Sequence, residues 1–330
     1  MPKRSAAEMV TTEVRPIPIR RSFASRFADT GFRYLIVVCA LSVLAIVVLI
    51  AWQLVAHSTL SLKQFGLKFF YSSDWDPVSG EFGALPFVFG TVVSSILALI
   101  IAVPLSVGAA VFITEMCPGW LKTPLSFLME LLAAIPSVIY GLWAIFILAP
   151  ILRNYVEPFL AKVFGWTGIF SGPTYGIGML AAGIILAIMI VPIISSITRE
   201  VMTAVPQQQR EAVLALGATR WEMIRTGVLR NARTGIIGGV ILGLGRALGE
   251  TMAVTMVIGN RPEIAKSLFA PGYTMASVIA NEFSEATDNL YLSAIIEIGL
   301  ALFIVTLIVN IIAQLLVWAS TRGMPARAQA

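Results

Sequence analysis

Residues 199–260 of the chain read REVMTAVPQQQREAVLALGATRWEMIRTGVLRNARTGIIGGVILGLGRALGETMAVTMVIGN. The first half of this stretch is polar and basic, although hydrophobic segments lie on both sides of it. A helix needs about 20 apolar residues to cross the roughly 30 Å hydrocarbon core of a bilayer. The stretch therefore predicts a polar loop that is held at a membrane surface between two spans.

A helix–turn–helix is predicted inside this polar loop. Pro206 suits the first position of a helix, where the missing N–H costs nothing, and Gly217 suits the residue just past a helix end. Thr219 stands three residues before Glu222, which is the spacing of a capping box. The pattern predicts one helix from Pro206 to the residue before Gly217, and a second helix that begins directly after Thr219.

The composition of the whole chain indicates an integral membrane protein. Of its 330 residues, 58% are hydrophobic and 12% are charged, against about 25% charged residues in soluble domains. Alternation typical of a membrane β-barrel is absent, so the fold class is all-α. We expect six transmembrane helices, over residues 34–56, 85–113, 124–149, 174–198, 235–258 and 290–319. Residues 34–319 then form one membrane domain between an N-terminal tail, 1–33, and a C-terminal tail, 320–330.

The distribution of basic residues predicts the topology. Lysine and arginine concentrate in residues 1–33 and in the loop 199–234, and they are sparse in the other segments that connect spans. Cytoplasmic loops carry such an excess of positive charge. We therefore expect both termini and the loop 199–234 to be cytoplasmic, which agrees with an even number of spans in a bilayer.

Ionisable residues inside the predicted spans are candidates for a substrate pathway, because each costs about 2.5–3.5 kcal/mol at the centre of a membrane helix. Four lie there, namely Glu130, Arg246, Glu250 and Glu297. Arg246 and Glu250 are four residues apart and would share one helix face. They form either a structural ion pair or part of a pathway in which the planar guanidinium of Arg246 meets an anion.

Glycines recur in the fifth predicted span. The two series, each with a spacing of four residues, are Gly235, Gly239 and Gly243, and then Gly245 and Gly249. Small residues at this spacing let membrane helices approach closely. We expect this segment to pack against another subunit, with a groove filled inside the same chain as the alternative.

Several kinds of chemistry are excluded by what the sequence lacks. It contains no GxxxxGK[ST] phosphate loop, no nucleophile beside a base and no metal-ligand cluster, so we expect no catalytic site, no metal and no cofactor. Cys39 and Cys117 do not form a disulfide framework. A DNA-reading helix–turn–helix has a similar outline to the central loop, but a loop tethered between two spans presents no separate domain to a duplex. No nucleic acid partner is expected.

The central loop also carries a resemblance to a known family. The residues concerned are Glu211-Ala212-Val213, Gly217, Ile224 and Val228-Leu229, and they resemble the "EAA" loop of ABC-transporter permease subunits. Val213 and Arg230 depart from the usual alanine and proline of that pattern. In the family this loop is the cytoplasmic coupling element that docks on the ATPase subunit. The docking residues that the resemblance implies here are Arg210, Glu211, Ala212, Leu216, Gly217 and Ala218.

The segment Gly245–Asn260, GRALGETMAVTMVIGN, is similar to the PstC-type permeases of phosphate-specific ABC importers. The resemblance implies a six-helix permease that imports inorganic phosphate across the bacterial cytoplasmic (inner) membrane. It also implies partners: the lipid bilayer, a second homologous permease subunit, two ATP-binding subunits and an extracytoplasmic phosphate-binding protein. The chain itself would not be an enzyme, because the partner subunits would hydrolyse ATP.

Two alternatives remain open at this point. The same architecture could transport another oxyanion, such as phosphonate, sulfate or molybdate. A protein of a different class, a membrane scaffold or sensor, could dock an ATPase without moving a solute. ATP-dependent uptake by a reconstituted complex distinguishes transport from scaffolding.

Overall fold

A computed structural model of the chain describes residues 23–321, with side chains from 31 to 319, so most of the predicted tails lie outside the described residues. The chain divides between Trp52 and Gln53 into two units, and each is described by itself. The first unit contains most of α1 (Phe23–His57), whose side chains from Gly31 to Trp52 are almost all exposed. Exposed apolar side chains along this length fit a helix that contacts lipid.

The second unit begins with the last residues of α1, and two short helices follow, α2 (Thr59–Phe65) and α3 (Lys68–Tyr71). An irregular segment then leads to the long helix α4 (Leu85–Val111). Aromatic residues of this segment pack beside two later helices, α14 (Met275–Glu282) and α15 (Asn289–Thr321).

One carboxylate holds this aromatic packing in place. The indole of Trp75 donates to Glu282 at 2.9 Å, and the hydroxyl of Tyr291 donates to the same carboxylate at 2.7 Å. Phe82 stacks on Tyr291 with ring centroids 5.4 Å apart. The aromatic segment before α4 is therefore fixed by packing inside the chain.

Three long helices form the main core of the second unit. They are α4, α9 (Met179–Thr203) and α12 (Arg230–Gly249), and α9 packs against both of the others. At the end of α4 the helix widens into a π-helical turn, Phe112–Met116. Most side chains of α9 are buried against other helices, so its apolar residues form part of the protein core although the helix is also long enough to span a membrane.

A glycine groove on α12 lets α9 approach closely. A Cβ atom added at Gly235, Gly239 or Gly243 would meet a side chain of α9 at 2.5, 3.1 or 2.8 Å. The α9 residues that fill the groove are Val201, Ile197 and Ile194. For these three glycines the structure corrects the expectation of packing against another subunit, because their neighbour is α9 of the same chain. The alternative stated for the glycine series therefore holds here.

Proline divides the third predicted span. α5 (Gly119–Ala134) ends before Ile135 and Pro136, which are extended, and α6 (Ser137–Trp143) starts directly after them. Proline lacks an N–H and disfavours helical geometry at the residue before it. The predicted span over 124–149 is therefore wrong, and the apolar helical stretch is Ser137–Thr167 instead.

Residues 150–173, which connect the predicted spans 124–149 and 174–198, are helical over most of their length. A π-helical turn (Ala144–Leu148), α7 (Ala149–Ile151), a second π-helical turn (Leu152–Val156) and α8 (Glu157–Phe164) follow α6 without interruption. Pro150 and Pro158 lie in the first turns of α7 and α8. An interior proline removes one backbone hydrogen bond and crowds the carbonyl four residues earlier. Here each proline lies directly after a π-helical turn, so the helix continues past it with locally widened geometry.

The remaining elements complete the chain between α9 and α15. α10 (Gln207–Ala215) lies in the central loop, and α11 (Arg220–Glu222) continues through a π-helical turn (Met223–Leu229) into α12. After a break at Glu250 and Thr251 comes α13 (Met252–Val257), which precedes α14.

Five helical stretches among the described residues are long and apolar enough to cross a membrane. They are Gly31–His57, Leu85–Met116, Ser137–Thr167, Met179–Ala204 and Asn289–Ala319. The predicted span over 235–258 is the broken pair α12 and α13, and it is not one of the five. This membrane segment is therefore discontinuous.

We predict that Gly235→Ala destabilises the protein relative to Gly238→Ala. A Cβ at Gly235 would lie 2.5 Å from both methyl groups of Val201, whose β-branched side chain is stiff, while nothing lies within 4 Å of a Cβ at Gly238. The gain in helix propensity is common to both changes, so their difference isolates the overpacking, about 1–3 kcal/mol. Thermal unfolding of the two purified variants in detergent measures it, and equal melting temperatures would contradict the groove.

Candidate functional site

The helix–turn–helix predicted in the central loop is confirmed. α10 begins at Gln207, with Pro206 as its N-terminal cap, one residue later than predicted. Gly217 follows the helix with φ +84°, a left-handed conformation that costs least without a Cβ. The local signals in the sequence were therefore sufficient to place both ends of this helix within one residue.

The capping box is also present. The backbone N–H and the hydroxyl of Thr219 both donate to the carboxylate of Glu222 at 2.8 Å, and the N–H of Glu222 donates back to Thr219 Oγ1 at 3.3 Å. The hydrogen bond from the backbone N–H of Thr219 and, to a smaller extent, the one from its hydroxyl hold the pKa of Glu222 below its ordinary value. Glu222 therefore remains ionised at the start of its helix, where a negative charge is favourable.

The two helices of the loop pack on each other as a hairpin. A Cβ at Gly227 would lie 3.3 Å from a methyl group of Val213, so the helices are close at this point. The amide of Asn231 donates to Gln209 Oε1 at 2.9 Å and to the carbonyl of Gly227 at 2.7 Å. Val213, which replaces the family's usual alanine, thus fits against a glycine.

The exposed side of the hairpin is partly apolar. Leu216 is 89% exposed and Trp221 is 60% exposed, and Leu214 beside them is also exposed. Glu211 and Ala212 are exposed on α10, and Ala218 is half-buried in the turn. The predicted docking residues other than Arg210 and Ala218 thus lie on the open surface of the loop, together with Trp221, which the sequence reasoning did not select.

Arg210 was predicted as a docking residue, but its guanidinium faces the interior of the chain. It donates to Glu115 Oε1 at 3.1 Å, to the carbonyl of Met202 at 2.8 Å and to the carbonyl of Val205. The side chains of Arg210 and Glu115 are only 12% and 9% exposed. Arg210 therefore connects α10 to the ends of α9 and α4, a contact between distant residues that no local sequence signal indicated.

A second face of α12, beside the glycine groove, is open within the described chain. Leu242, Arg246 and Gly249 are exposed on it. Nothing lies within 4 Å of a Cβ added at Gly238, Gly245 or Gly249. No carboxylate of the described residues pairs with Arg246. This face therefore presents an uncompensated positive charge among small and apolar residues.

The break after α12 separates Glu250 from Arg246. Glu250 has extended geometry, with φ −69° and ψ 127°, so the helix on which the two residues would share a face ends before it. Its carboxylate instead accepts a hydrogen bond from the N–H of Ala253, at 3.3 Å, in the first turn of α13. The prediction of one shared helix face is wrong, because Glu250 caps the next helix.

The two broken helices lie side by side. A Cβ at Gly141 of α6 would lie 2.5 Å from Met256 Sδ and 3.2 Å from Ala253 Cα of α13. Tyr140 donates to the carbonyl of Leu132 at 2.7 Å, which ties α6 back to α5 across the break, and Arg246 interacts electrostatically with the same tyrosine. Both interruptions are thus gathered near Arg246.

The other two predicted pathway carboxylates have different surroundings. Glu130 on α5 is 62% exposed and pairs with Arg199 on α9 at 3.1 Å. Glu297 on α15 is completely buried, and neither of its carboxylate oxygens has a hydrogen-bond partner among the described residues. The buried hydroxyl of Ser61 on α2 is the polar group close to it. Residues that line a pathway between two subunits would be exposed when one chain is viewed alone. Arg246 is exposed in this chain, whereas Glu297 is buried.

Comparison with known proteins identifies the family. A family model described as "Binding-protein-dependent transport system inner membrane component" matches residues 102–322. The phosphate transport system permease protein PstC of Mesorhizobium japonicum is 47% identical over 301 residues, which is 89% of this chain and 92% of that protein. The proteins of the same name from Xylella fastidiosa (strain Temecula1) and Haemophilus influenzae are 45% and 43% identical, over 92% and 90% of this chain and 95% and 96% of theirs.

The chain belongs to this family of inner membrane transport components. The fold class predicted from the sequence, an all-α membrane protein of the ABC-importer permease type, is confirmed. The permease is a multi-pass membrane protein and a transporter component rather than an enzyme. The family model covers α5 to α15, and therefore the central loop and both broken helices.

For the buried carboxyl of this permease we predict that Glu297→Gln is tolerated. The amide has the same shape as the carboxyl but removes the several kcal/mol that an unpaired buried charge costs, so stability should stay equal or rise. Glu297→Ala should instead lose about 2 kcal/mol or more, because it leaves a cavity. Thermal unfolding of the purified permease measures both, with the exposed Glu285→Gln as the control. A large loss of stability in Glu297→Gln would show that the charged form has a partner.

Proposed function

We propose that this chain is a transmembrane permease subunit of an ATP-driven importer for inorganic phosphate. The observation that carries the proposal is the identity of 43–47%, over about nine-tenths of the chain, to proteins named phosphate transport system permease protein PstC. Two features of the described chain support it: an exposed hairpin in the central loop and an open helix face that carries Arg246.

The central loop is proposed as the docking element for an ATP-binding subunit. Its exposed apolar side chains would be buried by a partner, and Leu216 and Trp221 are large enough to act as anchors in such an interface. Glu211 and Ala212 on the same helix fit the rim of that contact. Because Gly217 fixes the turn, the relative position of these side chains is defined before the partner binds.

The open face of α12 is proposed as the lining of the translocation pathway. Gly245 and Gly249 leave room for a second, homologous permease subunit or for solute, and the guanidinium of Arg246 can offer paired N–H donors to phosphate oxygens. Discontinuous helices are characteristic of substrate pathways in transporters. Rocking of the two permease subunits, driven by ATP in the docked subunits, would expose this face alternately to the two sides of the membrane.

The remaining partners and the orientation belong to the same proposal. Two ATP-binding subunits lie on the cytoplasmic side in this proposal, and the excess of lysine and arginine in the central loop and the N-terminal tail supports a cytoplasmic location for that loop and both termini. An extracytoplasmic phosphate-binding protein delivers the solute from the other side of the bacterial cytoplasmic membrane. The second permease completes the pathway.

Uptake by the complete complex in proteoliposomes tests the function. Phosphate accumulation that requires ATP supports the proposal, while accumulation of phosphonate, sulfate or molybdate in place of phosphate supports the same architecture with another substrate. Binding of the ATPase without uptake of any oxyanion would identify a scaffold or sensor.

Arg246→Lys should reduce the initial rate of phosphate uptake about tenfold or more. Lysine keeps the charge but loses the paired donors of the guanidinium, and a hydrogen bond to a charged group contributes about 1.5–3 kcal/mol. Exchange of the charges, Arg246→Glu with Glu250→Arg, should not restore uptake, because the two residues do not share a helix face. Uptake at matched expression and assembly is the measurement. Full activity of Arg246→Ala would remove this residue from the pathway.

Gly217→Val should uncouple ATP hydrolysis from uptake or weaken the association with the ATPase. A β-branched residue is strained at φ +84°, so the exposed side chains on either side of the turn would shift. Gly80→Val is a matched control, since Gly80 has φ +72°, also has no atom within 4 Å of a Cβ, and lies in the segment before α4. Copurification with the ATPase and uptake per ATP hydrolysed are measured for both. Equal behaviour of the two variants would exclude the loop from coupling.

A further inference from the structure

The ion pair between Arg210 and Glu115 joins the coupling helix of this permease to the end of a core helix, and unlike the pair of Arg199 with Glu130 it is buried on both sides. Glu115 lies in the π-helical turn that ends α4, and Arg210 lies on α10, 95 residues later. Their Oε1 and Nη2 atoms are 3.1 Å apart and both side chains are largely buried. The pairs Arg199–Glu130 and Arg261–Glu263 are far more exposed on at least one side.

The same guanidinium also binds the end of α9. It donates to the carbonyls of Met202 and Val205, which belong to the last turn of α9 and the residues directly after it. Carbonyls at a helix C-terminus have no partner within the helix and need an outside donor. One side chain of α10 therefore holds the cytoplasmic ends of two core helices.

An open cavity of about 660 Å³ lies beside this contact. Its lining includes Glu115, Arg210, Lys122 at the start of α5, and Trp221 in the second helix of the hairpin. The cavity leaves space around α10, so the hairpin is not packed tightly against the start of α5. A cluster of buried apolar residues, which includes Val111, Met202 and Ile224, joins the second helix of the hairpin to the ends of α4 and α9.

A buried ion pair of this kind specifies position more than it adds stability. The desolvation of two charges offsets much of their attraction, so replacement of a buried pair by apolar residues is often neutral. Removal of one partner leaves the other charge uncompensated. Arg210 and Glu115 are therefore suited to keep two elements in a fixed relation while those elements move.

We propose that Arg210 and Glu115 are positioning residues that make the end of α4 follow the coupling helix α10. A displacement of α10 by a docked ATPase is transmitted through the ion pair to the turn Phe112–Met116, and from there along α4. The inference rests on the proposed docking function of the central loop, and it adds the route by which the loop's movement enters the membrane core. Arg210 acts here through Glu115 and not through contact with the ATPase.

The test uses the complete reconstituted complex and the variant Glu115→Gln. The amide still accepts a hydrogen bond from Arg210 but no longer carries the charge that holds it. We expect the ATPase to copurify in normal amount and hydrolysis to continue, while phosphate uptake per ATP hydrolysed falls about tenfold, within the range of coupling free energies between sites. The matched control is Glu263→Gln, which removes an exposed pair with Arg261 of similar length, 3.2 Å, and should leave uptake per ATP unchanged.

A conservative variant keeps the test decisive if Glu115→Gln does not assemble. Glu115→Asp retains the charge at a shorter reach, and uptake per ATP should fall less than in the amide variant. A lower melting temperature with unchanged uptake per ATP, in either variant, would overturn the proposal and leave the pair a purely structural role. If the unmodified chain does not bind the ATPase at all, the proposed docking function of the central loop is refuted. That result is distinct from a failure of the proposed role of Arg210 and Glu115.

Discussion

The close contact between α9 and the glycine groove of α12 is the constraint on which the rest of the second unit depends. Three glycines remove the side chains that would keep the two helices apart, and β-branched residues of α9 fill the space. α4 packs along α9 as well, so one buried helix contacts two others and fixes their positions. Once that groove is occupied, the neighbouring face of α12, with Arg246, is left open by the described residues. Packing inside the chain thus decides which face is available to a partner or a solute.

Breaks in two helices meet beside that open face. An interrupted helix at membrane depth leaves backbone groups without their usual partners, and each one is costly unless protein supplies a substitute. Here Tyr140 bonds to a carbonyl at the end of α5, and Glu250 accepts an N–H from the start of α13. The polar side chains that the sequence places inside the membrane therefore serve partly to satisfy the backbone. Arg246 makes no hydrogen bond to the backbone of the described residues, whereas Glu250 accepts one.

Local signals in the sequence were enough to predict the central hairpin. The helix ends are set by Pro206, Gly217 and the capping box of Thr219 with Glu222, and each of these affects only the backbone within one or two helical turns. The apolar runs likewise predicted most of the membrane helices. What the sequence could not supply was the identity of distant neighbours. The pairs of Arg210 with Glu115 and of Arg199 with Glu130 join residues 95 and 69 positions apart, and no spacing rule relates them.

Other sequence predictions were wrong because one sequence pattern is compatible with two different structures. A glycine series indicates close packing but does not say whether the neighbour belongs to the same chain. Four-residue spacing indicates a shared face only while the helix continues, and α12 ends one residue before Glu250. Proline had opposite effects at different positions: Pro136 follows the end of a helix, while Pro150 and Pro158 lie inside a continuous helical stretch, each directly after a π-helical turn.

The π-helical turn at the end of α4 has a consequence for how the length of this segment can vary among related chains. A π turn accommodates one residue more than an α turn, and one residue corresponds to a rotation of about 100° around a helix. Because the wider turn absorbs its extra residue, deletion of one residue between Phe112 and Glu115 would restore regular α geometry and leave the carboxylate on nearly the same side of the helix, towards Arg210. A permease that is one residue shorter here and has a regular α turn can therefore keep its carboxylate opposite the arginine, so the length of this turn can change without loss of the ion pair.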